Sequence, residues 1–161
     1  MAKIAGALLL IVVLVLPAGV FTAGRLGLFT GSRPTDLGVH DGMLKAPGAE
    51  ALNVVSSQAA AQPHNDSNLI APLRFRGDPA AAFARLQALL KTMDNVTIVS
   101  VQPGYLHAEF RTKILHFVDD VEFLLDANEG VIHMRSASRL GRRDFGVNRA
   151  RLERIRVAFG H

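Results

Sequence analysis

The chain contains no cysteine, no tryptophan and a single tyrosine. Without cysteine there are no disulfides and no thiolate metal sites, and the absence fits any compartment. With one Tyr, no Trp and most of the nine Phe placed as core, the stacking component of nucleic-acid binding is missing, so no nucleic-acid partner is expected. Catalytic signatures are missing too. The sequence has no G-x-S-x-G elbow, no HExxH pair among its six histidines, and neither a GxGxxG loop nor a GxxxxGK loop closed by Ser or Thr. No cofactor and no metal site are expected, and His107 and His133 read as strand-face residues.

What the sequence does have begins with an apolar run. Ile4 to Ala23, IAGALLLIVVLVLPAGVFTA, carries no charge. As a helix rising about 1.5 Å per residue, such a segment matches the roughly 30 Å hydrocarbon layer. Two readings stay open: an uncleaved signal anchor over residues 1–24, or a signal peptide removed after export. The apolar core Ile4–Leu16 is short enough for a signal peptide, but cleavage after Ala23 would put Phe21 where a small residue belongs. Either reading places the rest of the chain on the periplasmic side of an inner membrane. The flanking cations (Lys3 against Arg25, Arg33 and Lys45) do not favour that orientation, which rests on the N-terminal position of the segment.

Charge is unevenly placed. The net charge is +4, yet residues 105–130 hold six acids against Arg111 and Lys113, −6 + 2 = −4, and residues 131–161 hold eight arginines against Asp144 and Glu153, +8 − 2 = +6. A basic tail of this kind suits anionic lipid heads, phosphate or nucleic acid, the last disfavoured by the scarce aromatics.

After a linker at 25–30, residues 31–161 read as one α+β domain. Its first part, a strap over 31–77, is rich in Gly and Pro, but Leu37, Val39, Leu44, Val54 and Val55 argue that it packs. Asp78-Pro79 is an N-cap and first turn. From there Ala82, Phe83, Leu86, Leu89, Leu90 and Met93 share one helical face. Four strands follow by their period of two: Val96–Val101, Leu106–Ile114, Val118–Asp126 and Val131–Arg135. In the second, Leu106, Ala108, Phe110, Thr112 and Ile114 face inward and Tyr105, His107, Glu109, Arg111 and Lys113 face outward. A C-terminal helix capped by Asn148 carries Leu152, Ile155 and Phe159 inward. The expected architecture is a four-stranded antiparallel sheet with a packed strap, one covering helix and a C-terminal helix, following the N-terminal transmembrane or signal helix.

Two groups of residues are candidates for chemistry. Asp120 and Glu122 share a strand face that Asp119 does not, and with a nearby His116 or His107 they form a candidate acid–base or cation-binding group. The competing reading pairs these carboxylates with arginines. The second group lies in RSASRLGRRDFGVNR, where Arg135, Ser136, Ser138, Arg139 and Arg149 supply donors for an anion. Here too the competing reading is internal pairing.

Ordered blocks of the sequence resemble a known family. GSRPTDLGVHDGMLK (31–45), NVVSSQA (53–59), IAPL (70–73), FVDDVEFLLD (117–126) and IHMRSASRLGRRDFGVNRARLERIR (132–156) are similar to domain-of-unknown-function family 1499. The resemblance implies a bacterial or plastid protein with a membrane or export segment and no established activity. Members often carry a cysteine pair around the segment matching 46–54; here Val54 stands at one of those positions, which favours a role without thiols. The resemblance also implies that Arg33, Ser56, Ser57 and Gln58 belong with the arginine loop. The expected function is a membrane-anchored or exported module that binds an anionic ligand or lipid headgroup, with contact to the membrane through residues 4–23. The alternatives are an enzyme using Asp120 and Glu122, and a structural partner of another membrane protein.

Overall fold

The computed structural model describes residues 4, 11–48, 50–62 and 66–160. In the apolar segment these form a π-helical stretch, Ile11–Val15, and helix α1, Leu16–Arg25. Pro17, which has no N–H to donate, sits in the first turn of α1 and marks the change of helix type. The expected transmembrane helix is not found. Among the described residues no helix is long and apolar enough to cross a membrane, and residues 5–10 of the segment lie outside them. Within α1 only Gly24 is buried, and Val20 and Phe21 are exposed.

The strap contributes strands of its own. Val39–His40 (β1) and Met43–Leu44 (β2) form a two-residue hairpin. Its turn residues Asp41 and Gly42 both have positive φ, 51° and 77°, as a turn matched to strand twist requires. Val54–Ser56 (β3) and Leu73–Arg74 (β4) pair antiparallel with Val131–Ser138 (β8). The remaining strands are Val96–Gln102 (β5), Tyr105–Arg111 (β6) and Val118–Asp126 (β7).

The sheet therefore has six strands, in the order β3-β8-β7-β6-β5, with β4 also on the outer side of β8. The expectation of four strands is corrected by the strap. β3 and β4 have three and two residues, too few to display an alternating pattern, and they extend the sheet because β8 offers its outer edge.

Helix α2, Pro79–Thr92, begins at Asp78, whose carboxylate accepts from Ala81 N at 2.7 Å, a cap worth about 1 kcal/mol. Together with helix α3, Val147–Phe159, it covers one face of the sheet. There Leu106, Phe123 and Met134 form one row across β6, β7 and β8, under Leu86, Leu90, Leu152 and Ile155. The C-terminal helix starts at Val147 with Gly146 at the cap, so the expected cap Asn148 lies inside it, fully buried.

The opposite face was expected to be half solvated. Instead Tyr105 and His107 are buried, because the strap lies over it.

Candidate functional site

Cross-strand register explains where the charges go. On the strap-covered face, His107, Glu122 and Arg135 form one row, and Glu109, Asp120 and Ala137 the next. Glu122 is 0% exposed and accepts from Arg135 Nη1 (2.9 Å), the Tyr105 hydroxyl (2.9 Å) and the backbone N–H of Gly38 in the strap (2.8 Å). Asp120, 1% exposed, is held by Arg139 through both oxygens, Nε to Oδ2 at 2.8 Å and Nη2 to Oδ1 at 2.7 Å. It also meets His107 Nε2 at 2.8 Å. Arg139 reaches on to Glu109, which Arg33 of the strap also clamps at 2.6 and 2.9 Å.

The electrostatics follow from this pairing. Burial alone would raise the Asp120 pKa, but hydrogen bonds from Arg139 and His107 and their charges outweigh it and the net shift is downward. Glu109 behaves alike: burial opposes, Arg139 and Arg33 prevail, and its pKa is lowered. The Tyr105 hydroxyl is pushed up, first by burial and then by the Glu122 carboxylate beside it. The two lowered carboxylates are thus the ones whose arginine partners outweigh the cost of burial. Only Arg135 Nε is left without a partner among the buried atoms of this row.

Asp119 points to the helix-covered face, as alternation requires, and pairs with Arg151 of α3. Arg151 also donates to Ser136 Oγ (2.9 Å) and Asn148 Oδ1 (2.6 Å), and Asn148 Nδ2 reaches Ser138 Oγ (3.1 Å) and the Asn53 carbonyl (2.9 Å). A second closed polar network thus ties α3 to the sheet.

The two candidate groups are accordingly redistributed. Asp120 and Glu122 do lie together, and of the two histidines considered beside them it is His107 that meets Asp120, while His116 sits in the loop after β6 with φ +59°. Of the five arginine-loop candidates, Arg135 and Arg139 serve the strap face, while Ser136 and Ser138 serve the helix face. Arg149 donates to the carbonyls of Leu69 (2.5 Å) and Ser67 (3.2 Å). They occupy three places. Arg33 does join Arg139, through Glu109. Ser56 is buried in β3, Ser57 Oγ meets His133 Nδ1 at 3.2 Å, and Gln58 accepts from Leu44 N at 2.8 Å.

One end of the sheet is built differently. There the 112–117 loop, the start of β7, the end of β8 and the 139–146 loop come together around a cleft. Phe145 is 94% exposed and has φ +53°, a left-handed conformation that costs a side chain of this size about 1–2 kcal/mol. Asp144 fixes it there, accepting from Gly146 N (3.1 Å) and Asn148 N (2.7 Å). Beside it, exposed Arg142 and Arg143 make no side-chain hydrogen bond or ion pair among the described residues. Ile114, Leu140 and Val147 are exposed at the same end. The root of α1 reaches it as well. Gly24 packs on the Leu115 backbone so closely that an added Cβ would lie 2.7 Å from its carbonyl oxygen, and Phe29 stacks on Phe117 with centroids 5.2 Å apart.

Phe145, Arg142 and Arg143 belong to no motif that would mark them as a site. The signal available was an aromatic set between arginines and a glycine in an otherwise polar loop. Nor does any motif mark the hairpin between β7 and β8, where ligand atoms of Asp126, Glu129 and His133 lie within 4.8 Å of one another. Asp126 Oδ1 is already engaged by the N–H groups of Asn128 and Glu129, and nothing beyond the cluster itself points to an ion.

A family model described as protein of unknown function, DUF1499, matches residues 46–159, so the chain belongs to that family. No curated protein matches the chain, and no solved structure does.

Proposed function

We propose that this member of the DUF1499 family is a membrane-surface module whose exposed sheet end, rather than its buried charge network, meets anionic lipid. The observation that carries this reading is Phe145. An almost fully exposed phenylalanine, held by Asp144 in a costly conformation between a helix start and two arginines with no side-chain partner among the described residues, gains nothing for the fold. Exposed apolar clusters of this kind mark interaction surfaces. The partner favoured by their neighbours is lipid: the apolar segment ending in α1 emerges beside them, and arginines near an anionic surface contribute about 1 kcal/mol each. Attachment of this kind needs apolar side chains entering the interface and no helix that spans it.

The enzyme alternative has little left to work with. Asp120 and Glu122 are buried under the strap, each held by an arginine and further donors. The anionic-ligand role moves to Arg142 and Arg143, which lie beside Phe145.

The absence of tryptophan gives a clean test. With Phe145→Trp in the full chain, the only tryptophan should shift to the blue on transfer from non-ionic detergent to phosphatidylglycerol/phosphatidylcholine vesicles, and brominated lipid should quench it. Emission that stays that of a hydrated indole, unquenched, would sink the proposal. Emission that is blue-shifted in detergent and vesicles alike yet unquenched by brominated lipid would instead favour a protein partner.

A further inference from the structure

The exposed end is not merely a flat apolar patch. Between the 112–117 and 139–147 segments lies a half-open cleft of about 270 Å³. Phe117, Val118, Ser138, Leu140, Phe145 and Val147 are among the residues that line it. Its polar groups are mostly spent. Asp119 is neutralised by Arg151, and the Ser138 hydroxyl accepts from Asn148, so a guest would meet apolar surface inside. Free charge lies beside it: Arg143 lines this cleft and, with Arg142, a second depression that shares Gly141 and Phe145 with it.

We propose that this cleft takes one acyl chain of an anionic lipid, with Arg142 and Arg143 holding the headgroup beside it. The inference rests on the membrane-surface reading and gives it a stoichiometric site. The volume lies just below the ~300–1,000 Å³ of pockets for drug-sized molecules, which suits a length of alkyl chain better than a ring system. Charge complementarity selects the headgroup, because the two exposed guanidiniums have no acidic partner among the described residues. Continuity with the root of α1 selects a membrane source for the chain, since Phe117 both lines the cleft and stacks on Phe29 just beyond that helix.

The test uses the full chain in vesicles containing a lysophosphatidylglycerol whose acyl chain carries a diazirine. After irradiation, adducts should map to Phe117, Leu140 and Val147. They should be competed by unlabelled lysophosphatidylglycerol more strongly than by lysophosphatidylcholine. Removing Arg142 or Arg143 should weaken that competition about fivefold per arginine. Val147→Trp or Leu140→Trp, both at partly exposed positions, should fill the cleft and abolish these adducts while leaving the domain folded by circular dichroism.

Adducts confined to the N-terminal apolar segment, or unchanged by both filling variants, would overturn the cleft. Equal competition by the two lysolipids would overturn the headgroup assignment. Either result can occur while the Phe145→Trp probe still reports burial in lipid. A hydrated probe would remove the membrane-surface reading itself.

Discussion

Arg135, Arg139 and Arg151 belong to the same basic stretch as Arg142 and Arg143, and the two sets do opposite things. The first three are buried against Glu122, Asp120 with Glu109, and Asp119; the last two stand in solvent beside an exposed phenylalanine. The difference lies in register. Arg135 is brought opposite Glu122 by strand pairing, Arg151 reaches Asp119 by helix docking, and Arg139, the first residue past β8, still reaches Asp120 and Glu109; Arg142 and Arg143, three and four residues further along the loop, meet no acid among the described residues. Net charge along a segment therefore overstates what is available to a ligand. Much of the +6 of the tail cancels inside the fold against the −4 of the strands before it.

If the paired arginines are structural, removing one must cost stability on the scale of an abandoned buried charge. Arg139→Ala leaves Asp120 and Glu109 facing each other without their shared cation. Loss of about 3–5 kcal/mol is expected in chemical denaturation, against no measurable loss for Arg142→Ala. Equal, small losses at both positions would erase the distinction. The pairing also sets an acid response. Asp120 and Glu109 have folded pKa values below their unfolded values of about 3.9 and 4.3. The stability they contribute is thus complete above those values and is lost as pH falls through the lower folded ones. Urea midpoints should drop steeply below about pH 4 in the native chain, and this slope should flatten in Arg139→Met.

A smaller effect is expected where the exposed end meets α1. Gly24→Ala places a methyl against the Leu115 backbone, which cannot yield as a side-chain tip would. Overpacking of this kind costs about 1–3 kcal/mol. Here it should appear locally, as faster amide hydrogen exchange over 112–117 with the Arg139 network unchanged. Loss of protection across β7 and β8 would mean that the exposed end and the charged face are one cooperative unit.

Much of this layout can be read in the sequence. Asp78-Pro79 announces α2, alternation lays out β5 to β8, and the two-residue period separates Asp119 from Asp120 and Glu122. The rest depends on long-range contacts that leave no local trace. Nothing in VVS or LR predicts that they pair with β8, and nothing near His107 or Glu109 tells that Arg33 and Gly38 will close over that face. Asn148 reads as a cap because its neighbours have helical periodicity, and only the approach of Ser136 and Arg151 makes it a buried hub.

The smallest expected effect separates fold from function most cleanly. At φ +53° glycine carries no Cβ penalty, so Phe145→Gly removes strain, though part of the gain returns as entropy of the unfolded chain. The net change should lie between zero and about 1 kcal/mol of added stability. A buried or packed phenylalanine could not be removed so cheaply. If Phe145 works at the lipid surface, the same variant should lose the hydrogen-exchange protection that phosphatidylglycerol vesicles give to residues 139–147. A stabilised protein that binds less well would place the strain of this residue on the side of function. A destabilised one would show that Phe145 packs on the fold, and the contrast between the two sets of arginines would have to stand without it.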